Sequence, residues 1–232
     1  MMRTILIIKT VVITTLLLLT FGLASKGQER PNYVISEMNN NNKQKTLIVF
    51  VTGDGGYNGF SKKLLGYFSI EGYARLIFDS KKYFWEKRTP EITSRDFEKS
   101  ILAFLEKSGC KDIYIIGHSF SAGILPFVIS NFSAHLRSKI RHVTYLSPDE
   151  YASPEVTLST MLNWKQKPNE YKVLPEILKV KYIPSTYVFC KNGEEHLVEM
   201  YRKSGLKVEV LDGPHNYNRD FPAIYNVIRL NR

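Results

Sequence analysis

Residues 115–123 read IIGHSFSAG, and this stretch decides the fold class. An apolar run ends at Gly117, Ser119 follows two residues later, and small residues come after it. This order is typical of a tight turn from a buried strand into a helix, which pushes the serine hydroxyl out above a sheet. The usual pattern is G-x-S-x-G, and here Ser121 replaces the last glycine. Ser119 is therefore either an activated nucleophile or a helix N-cap serine.

Strand and helix patterns alternate on both sides of this turn. Apolar, β-branched runs predict strands, and apolar residues at a helical period predict helices. The predicted strands are residues 47–51, 74–78, 112–116, 140–146, 186–190 and 207–211, with a short edge strand over 33–36. The predicted helices are residues 60–70, 91–107, 119–131, 194–203 and 221–230. This alternation predicts an α/β fold, with a mainly parallel sheet, helices on both faces and a small cap within 148–183.

The N-terminus has the features of a processed segment rather than of a folded one. Arg3 and Lys9 precede an apolar, uncharged stretch over 11–24 that ends in small residues. This stretch of about 14 residues is short for a membrane span of roughly 20. We expect a cleaved secretory signal over 1–24, with an uncleaved anchor as the alternative, and hence a periplasmic or secreted protein. A polar lead-in over 25–45 and one domain over 46–232 complete the chain.

The net charge indicates the class of partner, and the cysteine positions indicate whether a disulfide is expected. Without Arg3 and Lys9 the chain has 30 basic and 22 acidic residues, a net charge of +8. In an exported protein this excess favours peripheral contact with lipid headgroups of an anionic membrane or with cell-envelope polymers, and no basic run is dense enough to predict nucleic-acid binding. Cys110 and Cys190 fall at opposite edges of the predicted sheet, so we expect both to be unpaired. No spacing of metal ligands occurs, and neither a metal nor a cofactor is expected.

The candidate general base follows the last predicted strand. Ligands of open α/β sheets bind outside the carboxyl ends of the strands, so the histidines there are the first candidates. His215 follows the last strand, His118 would point away from Ser119 in the turn, and His196 is expected at the surface. We therefore predict that His215 takes the serine proton.

The candidate acid precedes this histidine in the chain. Glu194 and Glu195 follow the 186–190 strand, and Asp149 follows the strand before it. The order serine, acid, histidine is the order expected of α/β-hydrolases. We favour Glu195, then Glu194, then Asp149 as the carboxylate that orients His215.

The glycine-rich stretch TGDGGY over 52–57 supplies a second component of such a site. It lacks the Lys-Ser/Thr ending of a phosphate loop. Its glycines allow backbone N–H groups to approach a ligand closely. We predict an oxyanion hole built from the N–H of Phe120 and one N–H from the Asp54-Gly55 loop.

Several motifs together resemble the bacterial virulence protein VirJ/AcvB family of periplasmic α/β-hydrolases. They are GDGGY (53–57), DSKKYFW (79–85), RTPE (88–91), GHSFSAGILPF (117–127) and GPHNYNRD (213–220). The resemblance covers most of residues 46–230, although members more often have Trp at Tyr57 and Gly at Ser121. It implies a link with the envelope and type IV secretion, and hydrolysis of aminoacylated phosphatidylglycerol, notably lysyl-phosphatidylglycerol. Ser119 would then attack the aminoacyl ester, releasing lysine and phosphatidylglycerol.

The segment 79–91 is expected on the catalytic side of the sheet. The candidate substrate-binding residues are Tyr57, Asp79, Tyr83, Trp85 and Arg88. The aromatic side chains, Phe84 included, would line an acyl or headgroup pocket, and Arg88 would bind phosphate or pair with Glu91. Asp54 or Asp79 would meet a cationic lysyl group. Alternatively, the aromatic rings cover the sheet edge and Arg88 anchors the loop.

Two functional classes remain open. The first is an exported serine ester hydrolase that acts on an aminoacylated phospholipid or another small ester. The second is a non-catalytic hydrolase-fold module that binds an envelope protein or a secretion-system protein. Serine, histidine and acid candidates in the expected order favour the enzyme, because a scaffold needs none of them.

Overall fold

A computed structural model of the chain describes residues 31–38, 44–86, 88–152 and 171–230. The predicted signal segment 1–24 lies outside these residues, and so does the stretch 153–170 of the predicted cap. Of the polar lead-in, residues 31–38 and 44–45 are described.

Seven of the nine strands found in the described residues form one sheet. The strands are β1 (Val34–Glu37), β2 (Thr46–Val51), β3 (Ala74–Phe78), β4 (Asp112–His118), β5 (Ile140–Leu146), β6 (Tyr151–Ala152), β7 (Tyr171–Lys172), β8 (Ser185–Cys190) and β9 (Val208–Leu211). The order in the large sheet is β1-β3-β2-β4-β5-β8-β9, and β6 and β7 form a separate antiparallel pair. Only β1 runs antiparallel to its neighbour in the large sheet. The predicted mainly parallel sheet is confirmed.

Helices lie between the neighbouring parallel strands of the large sheet, from β2 to β9 in chain order, and one more follows β9. They are α1 (Gly59–Ile70), α2 (Ser80–Tyr83), α3 (Pro90–Ser108), α4 (Phe120–Ser130), α5 (Ala134–Arg137), α6 (Val173–Lys179), α7 (Glu195–Lys203) and α8 (Phe221–Leu230). Local chemistry sets their ends. The Thr89 hydroxyl accepts the N–H of Ile92, Pro90 opens α3, and Gly109 ends it at a φ of 68°. These are the usual start and stop signals of a helix.

The core lies on both faces of the sheet. Strand β2 is buried from Leu47 to Val51, and its side chains alternate between the two faces. Helices α3, α4, α6 and α7 pack on one face, whereas α1 and α8 cover the other. Because helices cover both faces, every side chain of such a strand is buried, and the strand is a continuous apolar run in the sequence. Fully burying each large apolar side chain contributes about 1.5–3 kcal/mol to stability.

Strand β1 brings part of the predicted lead-in into the sheet. It pairs with β3 from Val34↔Phe78 to Glu37↔Arg75, so the domain begins before residue 46. The Glu37 carboxylate accepts hydrogen bonds from Arg75 and from the Tyr57 hydroxyl, each at 3.0 Å. The lead-in strand therefore contacts the loop that follows β2.

Two further expectations concern cysteines and membrane spans. Cys110 and Cys190 are both buried and free, as expected. Over the described ranges, no helix combines the length and the apolar character that crossing a bilayer requires.

Candidate active site

Ser119 lies on the turn between β4 and α4, in a strained backbone conformation. Its φ is 55° and its ψ is −123°, outside the usual regions for a residue with a Cβ. The Ser119 N–H donates to the carbonyl of Leu146 at 2.7 Å, and its own carbonyl accepts the N–H of Ala122. A Cβ at Gly117 would lie 2.4 Å from Leu125 Cδ1 and 3.1 Å from the Ala122 Cα, so a larger residue there would displace the Leu125 side chain and crowd the backbone of α4. Strain of this kind is common where a side chain must be presented to a substrate.

Ser121 replaces the last glycine of the usual motif without opening the turn. Its hydroxyl donates to the Val51 carbonyl on β2 at 2.7 Å. The same oxygen accepts the N–H of His118 at 2.9 Å. The side chain is fully buried, so this serine ties the turn to the neighbouring strand instead of facing solvent.

The structure brings Ser119 and His215 into hydrogen-bond contact. Ser119 Oγ lies 2.7 Å from His215 Nε2, inside the range that a serine–base pair requires. On the other side of the ring, His215 Nδ1 lies 3.0 Å from Glu194 Oε1. The Glu194 hydrogen bond raises the pKa of His215, and the charges of Glu194, Asp149 and Asp54 act in the same direction.

Glu194, and not Glu195, is the carboxylate behind His215, so the order of preference in the sequence prediction was wrong. Glu194 is the residue before α7 and its side chain is 13% exposed. Glu195 opens the helix, lies at the surface and accepts the N–H of Gly193 at 3.1 Å. Burial raises the pKa of Glu194, but hydrogen bonds from His215 and Cys190 outweigh it and hold the pKa below its usual range.

The two other histidines near strand ends do not contact Ser119 in this way. The His118 ring stacks on Phe60 at a centroid distance of 4.5 Å. Burial lowers the pKa of His118 to about 3, so this ring is neutral. His196 lies at the surface, 3.8 Å from Glu150. Neither competes with His215 for the role of base.

The loop after β2 lies against the serine. A Cβ built on Gly53 would lie 3.5 Å from the Ser119 Cβ, which places this loop beside the nucleophile position. Phe120 is the first residue of α4, and the first N–H groups of a helix have no partner within the helix. The predicted oxyanion hole from Phe120 and the Asp54-Gly55 loop is compatible with this placement and stays a prediction.

The candidate substrate-binding residues line one open cavity, which the same loop borders. The cavity has a volume of about 710 Å³, and its lining includes all five of them together with Gly55, Lys81 and Lys82. Trp85, one of the aromatic residues that line the cavity, is 65% exposed. Phe84, in contrast, is buried and packs edge-on against Phe120, so it belongs to the core rather than to a pocket.

Hydrogen bonds within the protein hold three of these side chains, those of Tyr57, Asp79 and Tyr83. Tyr57 donates to Glu37, and Asp79 caps α2 by accepting the Lys82 N–H at 3.3 Å. The Tyr83 hydroxyl donates to Asp96 at 2.7 Å. These contacts position the loops around the cavity.

One interpretation of the sequence expected Arg88 to pair with Glu91, but in the structure Arg88 pairs with Glu86 instead. Its guanidinium donates to Glu86 at 2.8 Å and lies over the ring of Tyr83. Its Nε is buried and has no hydrogen-bond partner among the described residues. Among all residues that the structure describes, no group of three or more His, Cys, Asp or Glu side chains is placed to hold a metal.

Two residues at the site were not identified from the sequence. The Ser147 hydroxyl donates to Glu194 Oε2 at 3.1 Å, and it lies 2.6 Å from the Tyr217 hydroxyl. Ser147 directly follows β5, so its position at a strand end was the available signal. Tyr217 lies in the motif around His215, but nothing in the sequence indicates that its hydroxyl turns inward.

The sequence matches the family model for the bacterial virulence protein VirJ over residues 45–231. A comparison with curated protein sequences found no match.

Solved structures similar to this one are α/β-hydrolases. An esterase of Pyrococcus furiosus has a TM-score of 0.58 at 16% identity, covering 82% of this chain and 81% of its own. A bromoperoxidase from Bacillus anthracis has a TM-score of 0.58 at 12% identity, covering 85% and 93%. A lipase-esterase related protein from Clostridium acetobutylicum has a TM-score of 0.56 at 14% identity, covering 86% and 100%. These similarities confirm the predicted α/β-hydrolase fold.

Proposed function

This chain belongs to the VirJ family of bacterial virulence proteins, and we propose that it is a serine ester hydrolase. The observation that carries the proposal is the contact of 2.7 Å between Ser119 Oγ and His215 Nε2, with Glu194 on the opposite ring nitrogen. A carboxylate there keeps the Nδ1 proton in place, so that Nε2 is free to accept the serine proton.

The reaction follows from this geometry. Ser119 Oγ attacks the carbonyl carbon of the ester while its proton passes to His215 Nε2. The carbonyl oxygen becomes an oxyanion, which the N–H groups of Phe120 and of the Asp54-Gly55 loop stabilise. Collapse of this intermediate breaks the bond to the alcohol, which leaves with the proton from His215. Water, activated by His215, then cleaves the acyl–serine bond and releases the acid.

For the substrate, we propose an aminoacylated anionic phospholipid such as lysyl-phosphatidylglycerol. The carboxylates of Asp54 and Asp149 both act on His215 electrostatically, and they would attract a cationic aminoacyl group to the same place. The cavity beside the 53–57 loop would receive the headgroup, with Arg88 and Lys81 facing its phosphate.

The expected location and partners belong to the same proposal. An exported protein with a net charge of +8 would approach an anionic membrane electrostatically, and a periplasmic enzyme would meet this lipid at the membrane surface. A role beside a secretion-system protein is compatible with the family. The site arrangement favours an enzyme over a non-catalytic module, since three aligned side chains have no use in a scaffold.

Hydrolysis of a short soluble ester tests the enzymatic function directly. Wild-type protein should cleave it, and Ser119→Ala should fold normally and lose the activity. Full activity in Ser119→Ala would contradict the proposal.

The lipid substrate needs a separate assay, with lysyl-phosphatidylglycerol in anionic vesicles at low and high salt. We expect deacylation that weakens with salt, because exposed charges more than roughly 8–10 Å apart are screened near physiological ionic strength. If the soluble ester is cleaved and the lipid is not deacylated at any salt concentration, the enzyme proposal stands and the lipid assignment is wrong.

A further inference from the structure

The second oxygen of the Glu194 carboxylate has its own set of donors. While Oε1 faces His215, Oε2 accepts the backbone N–H of Cys190 at 2.8 Å. It also accepts the hydroxyl of Ser147 at 3.1 Å. Hydrogen bonds to a charged carboxylate are stronger than those between neutral groups, so these two donors fix the plane of the carboxylate.

Ser147 in turn contacts the hydroxyl of Tyr217, and both side chains are buried. The Tyr217 hydroxyl also lies 3.1 Å from the Val188 carbonyl. A carboxylate accepts hydrogen bonds only, so the Ser147 hydrogen is directed to Glu194. Burial raises the pKa of Tyr217 well above its usual range, so its hydroxyl keeps its one hydrogen. Because the Ser147 hydrogen is directed to Glu194, the 2.6 Å contact is a hydrogen bond that Tyr217 donates, and the Val188 carbonyl at 3.1 Å is a second, more distant acceptor of the same hydrogen. The order of donation is then Tyr217 to Ser147 to Glu194.

Both residues that carry these hydroxyls have an unfavourable backbone conformation. Ser147 has a φ of 48°, and Tyr217, Asn218 and Arg219 have φ values of 53°, 53° and 55°. Left-handed backbone is unfavourable for residues with a Cβ, and it persists where the surroundings hold it in place. The N–H of Ser147 donates to Val188 at 2.7 Å, and that of Tyr217 donates to Pro214 at 2.6 Å.

We propose that Ser147 and Tyr217 are positioning residues, which orient the Glu194 carboxylate against His215 through a chain of two hydroxyl groups. The proposal rests on the proposed function, in which His215 is the base. Tyr217 also lies two residues after His215, so its buried hydroxyl anchors the loop that carries the base. One hydrogen-bond network therefore fixes both the acid and the base, although they come from different strand ends.

Two substitutions remove the hydroxyls with little other change. Ser147→Gly deletes the side chain where glycine tolerates the positive φ better than serine, so the backbone is not strained further. Tyr217→Phe keeps the ring. The matched control is Tyr201→Phe, since the Tyr201 hydroxyl is also buried but has no hydrogen-bond partner among the described residues.

The first measurement is the pKa of the His215 imidazole, followed by NMR in each variant. Because the Glu194 hydrogen bond is the main cause that raises this pKa, a displaced carboxylate should lower it toward the usual value. Asp54 and Asp149 also raise it and are unchanged in every variant. We expect a downward shift in Ser147→Gly, a smaller one in Tyr217→Phe, and none in Tyr201→Phe.

The second measurement is the rate of labelling by a fluorophosphonate, which reports on the serine without a known substrate. Losing a hydrogen bond to a charged group should slow labelling roughly ten- to hundredfold in Ser147→Gly. Tyr201→Phe should label at the wild-type rate. If Ser147→Gly and Tyr217→Phe both match Tyr201→Phe in pKa and rate, the positioning role is wrong.

A Ser119→Ala control separates the two proposals. If wild-type protein is labelled, Ser119→Ala is not, and the hydroxyl variants behave like wild type, the hydrolase function stands and the positioning role fails. If Ser119→Ala is labelled as fast as wild type, the hydrolase proposal itself fails.

Discussion

Replacing Glu194 with glutamine should leave the fold intact and nearly abolish the reaction. Because Cys190 and Ser147 both donate to Oε2, the glutamine carbonyl oxygen would take that position. Its NH2 group would then point at His215 Nδ1, the atom that lies 3.0 Å from Oε1. An NH2 donor there forces the ring proton onto Nε2, which can then no longer accept the proton of Ser119.

The expected size of this effect is large. A carboxylate-to-amide change that inverts the histidine tautomer in a serine protease lowers kcat about 10⁴-fold, equivalent to roughly 5.4 kcal/mol of transition-state stabilisation. We expect a loss of similar order in Glu194→Gln, measured as kcat for a soluble ester under saturating conditions. Circular dichroism and thermal unfolding check that the variant is folded.

The neighbouring carboxylate provides the control. Glu195 is exposed and bonds only locally to Gly193, so Glu195→Gln should keep kcat within about twofold of wild type. Loss of activity in Glu195→Gln together with retention in Glu194→Gln would refute the assignment.

Two further predictions concern pH and the turn. The Glu194 hydrogen bond raises the pKa of His215 from 6.5, and only the neutral ring accepts a proton, so kcat/KM should fall as pH drops through a value above 6.5. An acid limb below pH 6.5 would contradict this. Ser121→Ala should lower stability by about 1–3 kcal/mol, because Val51 and His118 lose a buried hydrogen-bond partner. Thermal unfolding measures this, and an unchanged Tm would show that the hydroxyl does not stabilise the turn.

The positions of the serine and the histidine followed from the sequence because parallel strands share one carboxyl edge. Strand β4 ends at His118 and β9 at Leu211, so residues that follow them must lie on the same side of the sheet. The turn at Ser119 could be predicted because the close packing of β4 against α4 requires small residues there. The order of the strands and the steric limits of the turn can thus be inferred from a sequence pattern.

The identity of the acid could not follow from such a pattern. Glu194 and Glu195 are adjacent, and α7 begins between them, so a shift of one residue at the helix start exchanges the inward and outward side chains. Helix boundaries are uncertain by one or two residues even in a known structure. The left-handed turn from Tyr217 to Arg219 could not be predicted either, because none of its residues with positive φ is a glycine.

The most direct test of the proposed reaction is to identify the residue that a fluorophosphonate modifies. Wild-type protein should carry one covalent phosphonyl group, which mass spectrometry of the digested protein should locate on Ser119. Ser119→Ala should carry none, and His215→Ala should react far more slowly, since the contact of 2.7 Å that activates the serine is gone. A phosphonyl group on another residue, or equal labelling of Ser119→Ala, would contradict the assignment of Ser119 as the nucleophile.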